Sequence, residues 1–290
     1  MIVKAPASSA NLGPGFDCFG IAWKCYNTIE FEKSSTLEIS GCDSRFINAD
    51  NLAYQAYART MQYLGLKPDN VRIVFGETDI PVSRGLGSSA ALISAGVYAA
   101  YVLNDIPVDR YGMLAVATEI EGHPDNVAPA IFGGFSASAM KDGKAYTTRF
   151  ELSDKLSYTA VIPDFELETK VARSVLPQTY TKADAVFNIS RAALVIGALT
   201  KGDIDLLSVG MEDKIHQPYR FPLIAGSDRI RDLMKNYGKS VMCISGSGST
   251  MLCVSEHMDL AERLRKDIGS MYPGWKVLSL EPDTNGISQV

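Results

Sequence analysis

Gly85-Leu86-Gly87-Ser88-Ser89-Ala90-Ala91-Leu92 is a small-residue loop running straight into an apolar helical stretch, and its reading governs the rest of the chain. Two glycines without Cβ atoms let the backbone curl so that several N–H groups converge. A helix beginning near Ser88 adds its unpaired amides and the positive end of its dipole, which together suit an anion. Ser88 and Ser89 bring hydroxyls fitted to a phosphate oxygen or a magnesium ion. The same residues also describe an ordinary turn with an N-cap, so the loop alone supports a nucleotide-using enzyme without settling it.

Working outward, residues 71–75 read as a strand leading to the loop, and 88–103 and 108–121 as successive helices, the second stopped by Gly122. Residues 2–5 and 27–31 read as strands, with 37–40 continuing a hairpin-like sheet; 51–64 is a helix ended by Gly65, and 134–140 with 145–150 a hairpin around Asp142-Gly143. In the second half, strands at 158–162, 240–245, 250–255 and 275–281 alternate with helices at 169–175, 183–199, 223–236 and 259–271, Pro177 separating the first two helices. The pattern predicts an α+β architecture of two intimately packed domains, 1–155 and 156–290.

The 290 residues are 46% hydrophobic and 21% charged with a net charge of −5, a globular composition that excludes a broad basic nucleic-acid surface. Phosphate must therefore be met locally. Cys18, Cys25, Cys42, Cys243 and Cys253 are odd in number and contain no CxxC pair, which points to reduced thiols, a cytoplasmic location and no zinc site. No signal peptide is read at the N-terminus, and no stretch approaching 18 uncharged apolar residues suggests a membrane span.

Two further glycine-serine segments accompany the loop: PASSANLGPGFD at residues 6–17 and SGSGST at 245–250, with PVSRGLGSSAA at 81–91 between them. In this order and spacing the three resemble the motifs of the GHMP kinases, the family that includes galactokinase, homoserine kinase and mevalonate kinase. Gly13-Pro14-Gly15-Phe16-Asp17, Glu121-Gly122-His123-Pro124-Asp125-Asn126-Val127-Ala128-Pro129 and Asp213-Lys214-Ile215-His216-Gln217-Pro218-Tyr219-Arg220 are similar to the branch that acts on L-homoserine. One departure is visible, since the third motif usually carries proline where this chain has Ser249.

The resemblance implies a ribosomal protein S5 domain 2-like N-terminal domain, a ferredoxin-like C-terminal domain and an active site in the cleft between them. It implies ATP and Mg2+, a small-molecule alcohol substrate, a step toward threonine, and a homodimer. Pro81, Arg84, Gly85, Leu86, Gly87, Ser88, Ser89 and Ala90 would hold the nucleotide phosphates, and Asn51 matches the position that touches adenine, although it reads equally well as an N-cap. Glu119 matches the magnesium carboxylate and would share the ion with Ser89. Arg173 and Arg220 match the residues that hold the substrate carboxylate, Asp17 meets the ammonium, and Asn11, His123 and Asn126 complete the pocket. Thr169, one helical turn from Arg173, would help Asn126 and Arg173 align the reacting groups. An amide is no general base, so direct attack is expected, the hydroxyl proton passing to a phosphate oxygen while Asp125 supports its loop.

Rival readings are weaker. Gly238-Lys239-Ser240 ends like a Walker A loop, but Leu233 stands where its first glycine belongs. Gly87-Ser88-Ser89-Ala90-Ala91 approximates a nucleophile elbow, so a serine hydrolase using Ser89 with His216 or His257 is a second possibility, and it leaves two motifs unexplained. A GHMP kinase for another small alcohol such as mevalonate is a third. A non-enzymatic ATP sensor would require loss of the magnesium carboxylate or an acceptor arginine, and all of them are present. None of the three histidines has metal-ligand spacing to another, and His216 and His257 read as packing or surface residues.

Overall fold

The computed structural model describes residues 1–290. The N-terminal half builds a sheet from β1 (Ile2–Ala10), β2 (Phe19–Lys33), β3 (Glu38–Ser40), β4 (Val71–Thr78), β5 (Phe135–Lys141) and β6 (Lys144–Phe150). It is completed by β11 (Ser288–Gln289), which returns from the far end of the chain to pair antiparallel with β1. The order is β11-β1-β2-β4-β3, with β5 joined to β2 and β6 to β5. On the edge away from β1, β2 serves two neighbours along its 15 residues: Phe19 to Ile21 pair with β5, while Asn27 to Lys33 pair with β4.

Four helices pack on this sheet: α1 (Leu52–Tyr63), α2 (Ser88–Leu103), α3 (Arg110–Glu121) and α4 (Pro124–Phe132). Small side chains on α2 let its neighbours approach closely. A Cβ on Gly96 would stand 2.1 Å from the Ala53 carbonyl oxygen of α1, so the crossing of these two helices requires glycine there.

The C-terminal half contains β7 (Ser157–Ile162), α5 (Thr169–Ser174), α6 (Lys182–Lys201), α7 (Ile204–Gly210), α8 (Gln217–Arg220), α9 (Ser227–Tyr237), β8 (Ser240–Ile244), β9 (Met251–Ser255), α10 (Leu260–Met271) and β10 (Lys276–Leu280). Its antiparallel sheet has the order β10-β7-β9-β8, the ferredoxin-like arrangement. The halves are not separate globules. Tyr158 and Leu207 of the second half belong to the 52-residue cluster that forms the core of the first, and the Trp23 and Tyr158 rings lie 5.2 Å apart. α6 has the length and hydropathy of a bilayer span, yet it carries Asn188, bonded to Asp213 at 2.7 Å, and Arg191, paired with Glu212 at 2.6 Å.

Several expectations need correction. β1 continues to Ala10 and β2 begins at Phe19, because residues 19–23 are buried on both faces and show no polar alternation. Residues 38–40 pair parallel with β4, not as a hairpin. α4, α7, α8 and β11 were not expected from the pattern. α4 carries prolines at 124 and 129, which look like breakers; the first sits where the missing N–H costs nothing. The return of β11 also removes the chain end from the C-terminal half, so a single cut at 155 does not describe the two sheets.

Candidate active site

A cavity of about 690 Å³ opens between the two halves and gathers residues from all three glycine-serine segments. Gly85 and Gly87 lie in the left-handed region, with φ of +81° and +70°, which glycine adopts without steric cost. A Cβ on Gly85 would meet the Ser245 carbonyl oxygen at 2.3 Å, and one on Gly87 would meet Ser8 Oγ at 2.0 Å. The segments are therefore packed on one another. Trp23 Nε1 donates to Ser9 Oγ at 2.8 Å, Ser9 Oγ and Ser245 Oγ are 2.7 Å apart, and Ser245 donates to the Gly85 carbonyl at 2.6 Å. Ser249, standing where the family motif has proline, donates to the Phe165 carbonyl at 2.8 Å.

α2 starts at Ser88, so its first amides face the loop, and Pro81, Arg84, Gly85, Gly87, Ser88 and Ser89 all line the cavity. Leu86 and Ala90, expected among the nucleotide-binding residues, are buried in the core and do not line the cavity. Arg84 donates to the Asp164 carbonyl at 3.0 Å, across the domain boundary. Asn51 behaves as an N-cap: Oδ1 accepts from Ala53 and Tyr54, and Nδ2 donates to the Phe46 carbonyl at 3.0 Å. Its amide shapes one end of the cavity and keeps one Nδ2 hydrogen without a protein partner.

The expected magnesium carboxylate, Glu119, lies on the face of α3 turned away from the cavity. Glu119 is 55% exposed and forms a bidentate pair with Arg59 at 2.8 and 2.9 Å, outside the cavity. Residues two apart on a helix point about 200° apart, so Glu121 takes the inward face. Its Oε2 accepts from Ser89 Oγ at 2.8 Å. Burial pushes the Glu121 carboxyl up, while Ser89 and His123 pull in the other direction. A half-buried carboxylate beside a serine hydroxyl and the glycine loop offers oxygen ligands of the kind that magnesium uses together with phosphate and water.

On the acceptor side, Arg220 is 1% exposed yet has no carboxylate partner. Its Nε donates to the Ala172 carbonyl at 3.1 Å and Nη1 to the Gly246 carbonyl at 3.3 Å. Burial, with the charge of Arg173 second, pushes this guanidinium down to about 10, still cationic at neutral pH. Asp213 fixes the turn into α8, accepting from the backbone N–H groups of Ile215, His216 and Gln217. His216 is fully buried and burial pushes it down to about 4. It is a positioning group: neutral, Nε2 donates to the Gly13 carbonyl at 2.7 Å, and Nδ1 is left to accept from Arg220 at 3.4 Å. Phe16 lies between the two guanidinium groups, 5.3 Å from Arg173 and 5.1 Å from Arg220.

Arg173 forms a two-point pair with Asp17 at 2.6 and 3.1 Å, which raises the arginine further and joins the two halves across the cleft. Asn11 is a brace: Nδ2 donates to the Gly246 carbonyl at 2.7 Å, and Oδ1 accepts from the Asp17 amide at 2.9 Å. Thr169 Oγ1 is 3.3 Å from Ser247 Oγ at the cleft lip. His123 Nδ1 makes a close contact with Asp125 Oδ1; burial opposes protonation of the ring, but Asp125, Asp17 and Glu121 together push it up. Asp17, His123 and Asp125 also bring one ligand atom each within 4.8 Å of one another, a grouping invisible in their sequence spacing. Asn126, on the first turn of α4, lines the cavity and bonds through Oδ1 to Ser8.

Pattern reading missed Ser8, Phe16, Glu121 and Asp213. All four stand inside the quoted motifs, so their place was signalled while their roles were not. The hydrolase alternative finds no support, since Ser89 bonds to Glu121, His216 to Gly13 and His257 to the Tyr237 carbonyl. All five cysteines are free thiols.

Comparison with known proteins agrees with this geometry. The model of the GHMP kinase N-terminal domain matches residues 51–134, and that of the GHMP kinase C-terminal domain matches residues 195–274. The homoserine kinase of Clostridium acetobutylicum is 39% identical over 98% of both chains. That of Clostridium botulinum is 38% identical over 98% of this chain and 96% of its own. The crystal structure of homoserine kinase from Cytophaga hutchinsonii superposes with a TM-score of 0.89 at 27% identity, covering 100% of this chain and 97% of that one.

Proposed function

The chain belongs to the GHMP kinase family, in its homoserine kinase branch, and from that premise we propose how its residues transfer the γ-phosphoryl group of ATP to the hydroxyl of L-homoserine. Gly85, Gly87 and the first amides of α2 receive the triphosphate, with Ser88 beside them. Ser89 and Glu121 would hold Mg2+, which when bound neutralises the charge of the β- and γ-phosphates. Arg220 and Arg173 take the substrate carboxylate, and Asp17 takes the ammonium. The acceptor oxygen attacks γ-phosphorus, the bond to the bridging β–γ oxygen breaks, ADP leaves, and the hydroxyl proton passes to a phosphoryl oxygen. Because little covalent work falls to the protein, alignment of the two substrates is its main contribution.

The observation that carries this reading is the buried Arg220, a cation without a carboxylate, set beside the Asp17–Arg173 pair and facing the phosphate loop. A zwitterion satisfies all three charges: its carboxylate meets the arginines while its ammonium replaces Arg173 as the partner of Asp17. Analogues lacking one charge test the point. Magnesium-dependent ADP release should be high with L-homoserine and low with 4-hydroxybutyrate and 3-amino-1-propanol; equal turnover of either analogue removes the zwitterion reading. Mevalonate, which has no ammonium, leaves Asp17 without its role. Five free thiols support a reducing cytoplasmic setting. Exposed Val186 and Ile189 on α6 give a homodimer an apolar face to bury, which light scattering on the purified protein tests.

A further inference from the structure

Ser8 lies at the only point where the phosphate loop and the acceptor-side amide are bridged by one side chain. It sits on β1 inside the first quoted motif, is fully buried, and was given no role in the reading of motifs above. Its N–H donates to the Leu86 carbonyl at 3.1 Å, inside the glycine loop. Its Oγ donates to Asn126 Oδ1 at 2.9 Å, on the first turn of α4, 118 residues along the chain. Gly87 rests directly on the same hydroxyl, as the 2.0 Å approach of its missing Cβ shows. One residue thus touches the cradle for the transferred group and the amide beside the acceptor.

An amide has two unlike ends. With Oδ1 of Asn126 occupied by Ser8, the amide is held with its Nδ2 hydrogens free, and Nδ2 makes no other hydrogen bond to the protein. We propose that Ser8 is a positioning residue for phosphoryl transfer, fixing the distance between the phosphate loop and Asn126 and committing Asn126 to donate an N–H to the acceptor oxygen. That donor occupies one lone pair of the acceptor oxygen and orients the other toward γ-phosphorus, and it cannot remove the hydroxyl proton, which goes to a phosphoryl oxygen. The inference rests on the kinase reading above but not on which alcohol is the acceptor.

The test compares Ser8→Ala, Asn126→Ala and the double variant, using the best acceptor found for the wild type. Ser8→Ala should lower kcat by roughly 10- to 100-fold, the scale of a small misalignment in a near-attack geometry. The KM for each substrate and the affinity for a non-hydrolysable ATP analogue, read by calorimetry, should stay within about threefold. In the Asn126→Ala background the Ser8 substitution should cost nothing further, because both act through one contact. Additive losses, or a Ser8→Ala defect confined to nucleotide affinity, overturn the proposal. Asn126→Asp is a second test independent of any packing defect at β1: it keeps an acceptor for Ser8 but cannot donate, so kcat should fall as in Asn126→Ala, and a retained or raised kcat contradicts the assigned orientation. A wild type inert toward every acceptor would instead refute the kinase reading, an outcome distinct from either result for Ser8.

Discussion

At the scale of single residues, Glu119 and Glu121 separate the two ways of assigning the carboxylate. Glu121→Gln removes the anion beside Ser89, and the magnesium concentration for half-maximal activity should rise roughly 10- to 100-fold, the scale of disturbing a metal site. Glu119→Gln breaks an exposed pair with Arg59, so kinetics should be unchanged and stability should move by about 1 kcal/mol or less. A magnesium titration of both variants decides, and the reverse pattern would restore Glu119. Arg220→Ala should remove about 1.5 to 3 kcal/mol from kcat/KM for homoserine while sparing the KM for ATP. Residue types at the site were legible from motif spacing, but the helical face was not. Glu119 and Glu121 occupy the last turn of α3, whose end at Gly122 was read from the sequence, but only the side-chain contacts, Glu119 with Arg59 and Glu121 with Ser89, show which one turns inward. Ser8 lies inside the first quoted motif, but its role was not legible, because its partner is 118 positions away.

At the scale of elements, the phosphate helix was read to its observed bounds, Ser88–Leu103, since Gly87 marks its start and a long apolar run fills it. α4 was missed because its prolines and its Asp125-Asn126 pair look like a loop, although Pro124 is preorganised for the first turn. The length of β2 was missed for a different reason: residues 19–23 are covered on both faces, so the strand lacks the alternation that announces one. The crossing of α1 and α2 offers a direct structural prediction. Gly96→Val would drive a branched side chain into the Ala53 carbonyl and should destabilise the fold by about 1 to 3 kcal/mol or more, measured by urea unfolding. Unchanged stability would mean that α2 can shift away from α1. It would also displace Ser88 at the start of the same helix, so a loss of ATP affinity is expected in parallel.

At the scale of the whole molecule, the chain end ties the two halves together. Residues beyond β10 lie along the N-terminal sheet: Asp283 donates its N–H to the Ala22 carbonyl at 2.9 Å, Ile287 donates to the Ala130 carbonyl at 2.8 Å, and Ile287 is fully buried. Ile287→Ala should cost about 2 to 5 kcal/mol and lower Tm, with the catalytic residues untouched. A Tm equal to that of the wild type would show that the returning strand adds little. The two-sheet plan was legible from the alternation of strands and helices, whereas this return was not, because a two-residue strand has no pattern to read. The same plan brings three distant glycine-serine segments into one cleft, with the proposed phosphate cradle on one side and the charges proposed to hold a zwitterion on the other. Magnesium-dependent ADP release across L-homoserine, L-serine, L-threonine, mevalonate and galactose, with the product identified by mass, tests that arrangement most directly. Release confined to L-homoserine with formation of O-phospho-L-homoserine is the predicted result; preferential phosphorylation of mevalonate or the sugar would contradict it.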